Sequence, residues 1–253
     1  MTLSQREAFA RTMEHLCNHD SHGYTQGNRW GNGNKETVDL GDGVSVDIML
    51  GDRDCSSAII SALSAVGVDV HDATYTGNMR INILKSGLFE WWDMNHVAQR
   101  GDIYLNEACH TAMCTSAYGS AQGDILAEFS ISENGTAYGN EGDQTGWESH
   151  ICAYYDYPWD GILHWKTTAQ RSAQHLNTRW HALTARCIAF TTQTTGSTCS
   201  LQAMTRHRAL VTQAGRMKAL AGNMATADAF TGFTTQEMAT TFSQLDCLKL
   251  LNE

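Results

Sequence analysis

An α+β fold, with helices ahead of an antiparallel sheet, is what this 253-residue chain predicts, on three observations. Its first part carries apolar residues at helical spacing. From Asp102 onward the pattern changes to short runs of strand character separated by turns. Nowhere is there an apolar stretch long enough to span a bilayer, and the start, Met1-Thr2-Leu3-Ser4-Gln5-Arg6-Glu7, lacks the charged-then-apolar order of a secretory signal. Helices followed by a run of strands pack most simply as an antiparallel sheet covered on one face, rather than as alternating parallel units.

The elements follow in order. Ser4-Gln5-Arg6-Glu7 reads as a capping box, continued by Phe9, Met13 and Leu16 as an amphipathic helix ending near Asn18. The polar, glycine-rich stretch 20–34, with Tyr24, Gln26, Arg29 and Trp30, suits a binding loop. Residues 37–40 and 44–48, around Gly41-Asp42-Gly43, predict a hairpin that delivers the chain to Cys55. Asp54 is a natural N-cap for a helix carrying Ala58, Ile59, Ala62, Leu63 and Val66, with Gly67 as terminator. Thr76 is expected to cap a shorter helix with Met79, Ile83 and Leu84, closed by Gly87 and followed by the aromatic group Phe89, Trp91 and Trp92. Strands are expected at 102–106, 110–116, 124–131 and 161–165. Three helices are expected beyond: around Trp180, Leu183 and Cys187, then Leu210 to Met224, then Met238 to Leu245 behind a Thr234/Glu237 capping box.

Charge divides the chain near Lys166. Residues 1–166 carry 9 Lys/Arg against 23 Asp/Glu, a net of −14, and residues 167–253 carry 8 against 4, a net of +4. The expected organisation is a domain over 1–166 and a small, helical or poorly ordered attachment over 167–253. A basic attachment on an acidic body suggests contact with something anionic. The eight cysteines contain no Cys-x-x-Cys pair, which argues against a zinc ribbon or a thioredoxin-type site and for reduced thiols.

Cys55, in the first turn of its helix, is the candidate nucleophile. Unpaired N–H groups and the helix dipole favour a thiolate there, so a lowered thiol pKa is expected. His110, opening a later strand, is the candidate base of a Cys–His acyl-transfer pair.

Tyr24, Asp54-Cys55-Ser56-Ser57, Arg100-Gly101-Asp102-Ile103 and His110-Thr111-Ala112-Met113 resemble, in that order, bacteriophage peptidoglycan hydrolases of the pneumococcal-phage amidase type, within the NlpC-like, papain-fold superfamily. The resemblance covers residues 4–166. It implies a papain-like catalytic domain, Cys55 as nucleophile, His110 as base, and a third polar group on the next strand, for which Glu128 is the best placed residue; strand alternation makes that assignment depend on register. Tyr24 resembles the tyrosine that lines the cleft and assists the substrate or oxyanion, with Gln26 as second choice; Asp54 and Ser56 are taken as substrate-binding neighbours of the nucleophile. The implied activity is hydrolysis of an amide in bacterial peptidoglycan, foremost N-acetylmuramoyl-L-alanine, with a stem-peptide bond as the alternative. No metal or organic cofactor is implied. The implied partners are peptidoglycan and, through the attachment, anionic wall polymers, with no nucleic acid and no membrane insertion. The implied itinerary is synthesis in the bacterial cytoplasm and action on the wall after release. Two readings of other classes stand beside it: a metal hydrolase using His15, His19, Asp20 and His22, and a non-catalytic wall-binding or tail-associated protein.

Overall fold

The computed structural model describes residues 3–117, 119–167, 170 and 171. The chain separates into Met1–Lys166 and Thr167–Glu253, and the helices and strands from Gln5 to Trp165 belong to the first unit. The helices expected beyond residue 179 lie outside the described residues. No helix among the described residues is long and apolar enough to cross a membrane.

Helix α1 (Gln5–Cys17) starts where Ser4 caps it, accepting the Glu7 N–H. The expected capping box is only half present. Glu7 turns instead to Arg11 and Arg100, forming ion pairs at 3.0 and 2.8 Å. Strands β1 (Lys35–Asp39) and β2 (Ser45–Met49) pair antiparallel as the expected hairpin. Helix α2 (Cys55–Ala65) has a complete capping box in which Asp54 accepts the Ser57 N–H and Ser57 accepts the Asp54 N–H. It ends at Gly67, whose φ of 78° suits the left-handed turn that follows a helix. Helix α3 (Thr76–Lys85) begins one residue earlier than expected, with Tyr75 as N-cap and Thr76 already in the first turn, because Asn78 ties back to the Tyr75 N–H.

The main sheet is antiparallel throughout, so the α+β class holds. Its six strands are β3 (Phe89–Trp92), β4 (Ile103–Asn106), β5 (His110–Ser116), β6 (Ile125–Phe129), β7 (Ser149–Ala153) and β8 (Gly161–Trp165), in spatial order β3-β8-β4-β5-β6-β7. Two of these correct the expectation. The aromatic group at 89–92 is an edge strand, held to β8 with Phe89 opposite Trp165, and the strand over 149–153 was not anticipated. The strand expected over 124–131 is shorter, since Ser130 already leaves β6 to reach the Glu148 carbonyl.

Alternation sorts the two faces. Ile103, Leu105, Met113, Ala127, Phe129, Leu163 and Trp165 face α1 and α2, with Phe9, Met13, Ile59 and Leu63 in the same core. Tyr104, Ala112, Cys114, Leu126 and Ile162 face the opposite way, under Ala98 and Trp159. His110 and Glu128 share the parity of this second face.

The Arg100-Gly101-Asp102 segment locks these layers together. Gly101 sits at φ 85°, and a Cβ there would lie 2.9 Å from the Arg6 side chain. Asp102, fully buried, accepts from His164 Nδ1 at 2.8 Å, Trp165 N at 3.0 Å, Gln99 N at 2.8 Å and Arg6 at 3.1 Å. One carboxylate thus joins α1 to β4 and β8.

Candidate active site

The nucleophile helix lies on one face of the sheet, and its N-terminus reaches the start of β5. Cys55 Sγ lies 3.8 Å from the carbonyl of Cys109, the residue before His110. The hairpin turns the chain into that position, and Arg53 fixes it. Arg53 N donates to Gly23 O and Thr25 N to Arg53 O, which places Tyr24 alongside the residues entering the helix.

The thiol differs from expectation. Cys55 is 8 % exposed. Burial pushes it up to about 12, Asp54 adds to the rise, and the N–H groups of Thr111 and Ser56 pull it down. Desolvation and an adjacent carboxylate outweigh the helix start, so the resting group is a thiol rather than a thiolate.

His110 Nε2 lies 3.1 Å from Glu128 Oε2 and 2.9 Å from the Tyr155 hydroxyl. Its other ring nitrogen has no hydrogen-bond partner among the described residues, which leaves Nδ1 to act as base. Register explains why Glu128 faces this way. Met113 pairs with Ala127 and Cys114 with Leu126, so Glu128 falls one diagonal step from His110 on the same face. The one irregularity of this pair lies between Cys114 and Ser116, at the far end of β5 from His110. A slip there does not turn Glu128 over.

Glu128 is 4 % exposed and collects three donors: His110, the Tyr155 hydroxyl, and His150 Nε2 at 3.3 Å. Burial raises its pKa, but the hydrogen bonds from His110, His150 and Tyr155 outweigh burial and hold it at about 2. It is ionised at neutral pH. The other ring nitrogen of His150, Nδ1, faces the Trp147 carbonyl at 3.0 Å. Trp159 stacks beside the His110 ring, and Tyr157 meets it edge-on while its hydroxyl lies 3.1 Å from Cys109 Sγ. Tyr155, His150, Tyr157 and Trp159 were missed in the sequence. The available signal was the aromatic run Tyr154-Tyr155-Asp156-Tyr157-Pro158-Trp159, which holds the chain's single proline.

Tyr24 is 5 % exposed, and its hydroxyl accepts from Gln26 Nε2 at 3.1 Å. Burial raises its pKa, with the electrostatic influence of Cys55 and Asp54 acting the same way, so it keeps its proton. Asp54 is committed to the helix cap and to an ion pair with Arg29 at 2.6 Å, and Ser56 donates to Asp54 at 2.8 Å. These bonds leave Asp54 and Ser56 building the helix start.

The four residues of the metal-hydrolase reading do not assemble as a set. His15 and His22 converge instead on Glu36. His19 and Asp20 are exposed, and His19 only stacks on His15, with ring centroids 4.1 Å apart. Burial pushes both His15 and His22 down, towards the neutral form.

No curated protein and no solved structure matches the chain. Residues 2–121, which include Tyr24, Cys55 and His110 but stop short of Glu128, match the family model of the endolysin-like domain, so this N-terminal stretch is endolysin-like.

Proposed function

We propose that the chain is a phage endolysin that hydrolyses an amide of bacterial peptidoglycan by cysteine nucleophilic catalysis in a papain-like, NlpC-type domain over 1–166. The observation that carries this reading is the hydrogen-bonded series of Glu128, Tyr155 and His110 beside the helix that begins at Cys55. With Nε2–H directed at Glu128, Nδ1 of His110 holds the lone pair. Because Cys55 rests as a thiol, its proton passes to His110 Nδ1 as Sγ attacks the amide carbonyl. The anionic Glu128 stabilises the imidazolium so formed. The Cys55 N–H, with the Tyr24 hydroxyl as second donor, supports the oxyanion. The C–N bond then breaks with His110 protonating the leaving amine, and water, deprotonated by His110, resolves the thioester and regenerates the thiol.

The bond assigned is N-acetylmuramoyl-L-alanine, on the family resemblance; the stem peptide is the alternative. Residues 167–253 are assigned to retention on anionic wall polymers, on their net positive charge. Synthesis in the bacterial cytoplasm and action after release belong to the same reading. Mass spectrometry of digests of purified walls tests it. Free L-alanine amino termini and peptide-free glycan are expected. New amino termini on a diamino acid or bridge residue would make it an endopeptidase, and no cleavage would leave a wall-binding protein.

A further inference from the structure

The geometry points to a structural binding site for a late first-row divalent cation such as Zn²⁺, formed by His15, His22 and Glu36 at the junction of α1, the loop after it and the β1–β2 hairpin. One ligand atom from each residue lies within 4.8 Å of the others. His15 and His22 are seven residues apart, and the folding of the hairpin back onto α1 brings Glu36 to them. Two imidazoles and a carboxylate are a donor set suited to Zn²⁺, with a fourth position left for water or a neighbouring side chain.

The second observation is that the cluster does not satisfy itself. His22 is fully buried, yet its Nε2 makes no hydrogen bond, and neither does Glu36 Oε1. The two atoms stand 2.6 Å apart, but not along a hydrogen-bonding direction. The contact is an ion pair only when His22 is protonated, and a cation that both atoms ligate, once they move apart to coordination spacing, satisfies the two together. His22 is also oriented for ligation. Its Nδ1 lies 3.1 Å from both the Gly51 carbonyl and Arg53 Nη1, and the tautomer that donates to the carbonyl is the one that leaves the lone pair on Nε2 for a cation. Glu36 Oε2, 3.4 Å from His15 Nε2, completes the triangle. The Arg53 guanidinium, 3.1 Å from His22 Nδ1, places a positive charge behind the site, and Glu36 and Asp52 oppose it electrostatically. Since Arg53 is also the rung that holds Tyr24 next to the Cys55 helix, a cation here would brace the loop that carries Tyr24. The site is separate from Glu128, His150 and Cys152, a second group able to approach a metal whose carboxylate is already engaged by three donors.

The full chain, stripped with chelator, is titrated with ZnSO₄ by competition against a chromophoric chelator, and thermal unfolding is followed in parallel. Near-stoichiometric binding with a rise in Tm is expected. Glu36→Gln and the milder His15→Gln, at a half-buried position, should each weaken affinity by about tenfold or more, whereas His150→Gln combined with Cys152→Ser should leave it within about twofold. Two results overturn the inference: no Zn²⁺ binding at micromolar metal, or binding that survives Glu36→Gln and His15→Gln and disappears with the His150/Cys152 pair. If Glu36→Gln lowers the Tm of the stripped protein, the His15→Gln titration decides alone.

Discussion

The Glu128 carboxylate stands 3.1 Å from His110 Nε2, on the neighbouring strand and the same face of the sheet, with the Tyr155 hydroxyl bonded to both groups. A buried carboxylate that accepts from an imidazole fixes its tautomer and stabilises the imidazolium formed during catalysis. Glu128→Gln should therefore lower kcat by one or more orders of magnitude while the protein, though less stable, stays folded at the assay temperature. Wall-lysis rates followed by turbidity check it, and an unchanged rate would remove Glu128 from the reaction.

Tyr155 is expected to act as a positioning residue. Tyr155→Phe removes one donor from Glu128 while keeping the ring against Tyr157 and Trp159. The expected loss is about tenfold in kcat with KM unchanged, smaller than for Glu128→Gln. A KM effect alone would place Tyr155 in substrate binding.

Cys55→Ala should abolish lysis, while Cys17, Cys114 and Cys152, all free and at least partly buried, should tolerate Ala with only lowered stability. A thiol alkylator should inactivate the wild type, and a chelator should lower its stability without abolishing lysis. Near-wild-type lysis by Cys55→Ala would end the cysteine mechanism.

Stability should follow Glu128 into acid. Its folded pKa, about 2, lies below the ordinary value of 4.5. The ionised group therefore stabilises the fold fully above about pH 4.5, and that contribution is lost as pH falls from 4.5 towards 2. Urea unfolding at pH 7 and pH 3.5 should show a fall in stability that is smaller in Glu128→Gln. Equal falls would indicate that other carboxylates govern acid unfolding.

Asp102 should matter for folding rather than chemistry. Removing its carboxylate leaves four donors, from α1, the turn at Gln99 and β8, without their acceptor, so Asp102→Ala should cost about 3 kcal/mol or more in urea unfolding. A loss of activity without loss of stability would contradict that assignment.

A chain ending at Lys166 should fold and still cleave soluble muropeptides but lose retention on intact walls. Binding by the isolated 167–253 fragment should weaken between low and physiological salt, where the screening length shortens to about 8 Å. Equal pelleting of the truncated and full chains would remove the targeting role.

What the sequence determined by itself is local. The Cys55 helix could be read because its start rests on Asp54 and Ser57, three residues apart, and its apolar face on helical spacing. The hairpin, the strand opening at His110 and the antiparallel α+β class were legible for the same reason. Tertiary structure decided the rest. Whether Glu128 faces His110 depends on strand register, which is kept from Cys114 to His110 because the bulge lies at the far end of β5. The strand at 149–153 escaped notice because it lies at the sheet's edge with exposed Ile151 and Ala153, and lacks a clear apolar alternation. With it went His150 and the aromatic run that brings Tyr155 to the site. The thiol's rise to about 12 was hidden as well, because burial is set by all the segments packed around Cys55, whereas the helix start is visible in four consecutive residues. Glu36 could not be joined to His15 and His22 until the hairpin folded onto α1. Short-range spacing fixes elements, but register and desolvation come from contacts distant in sequence, and in this protein those contacts set the chemistry of the site.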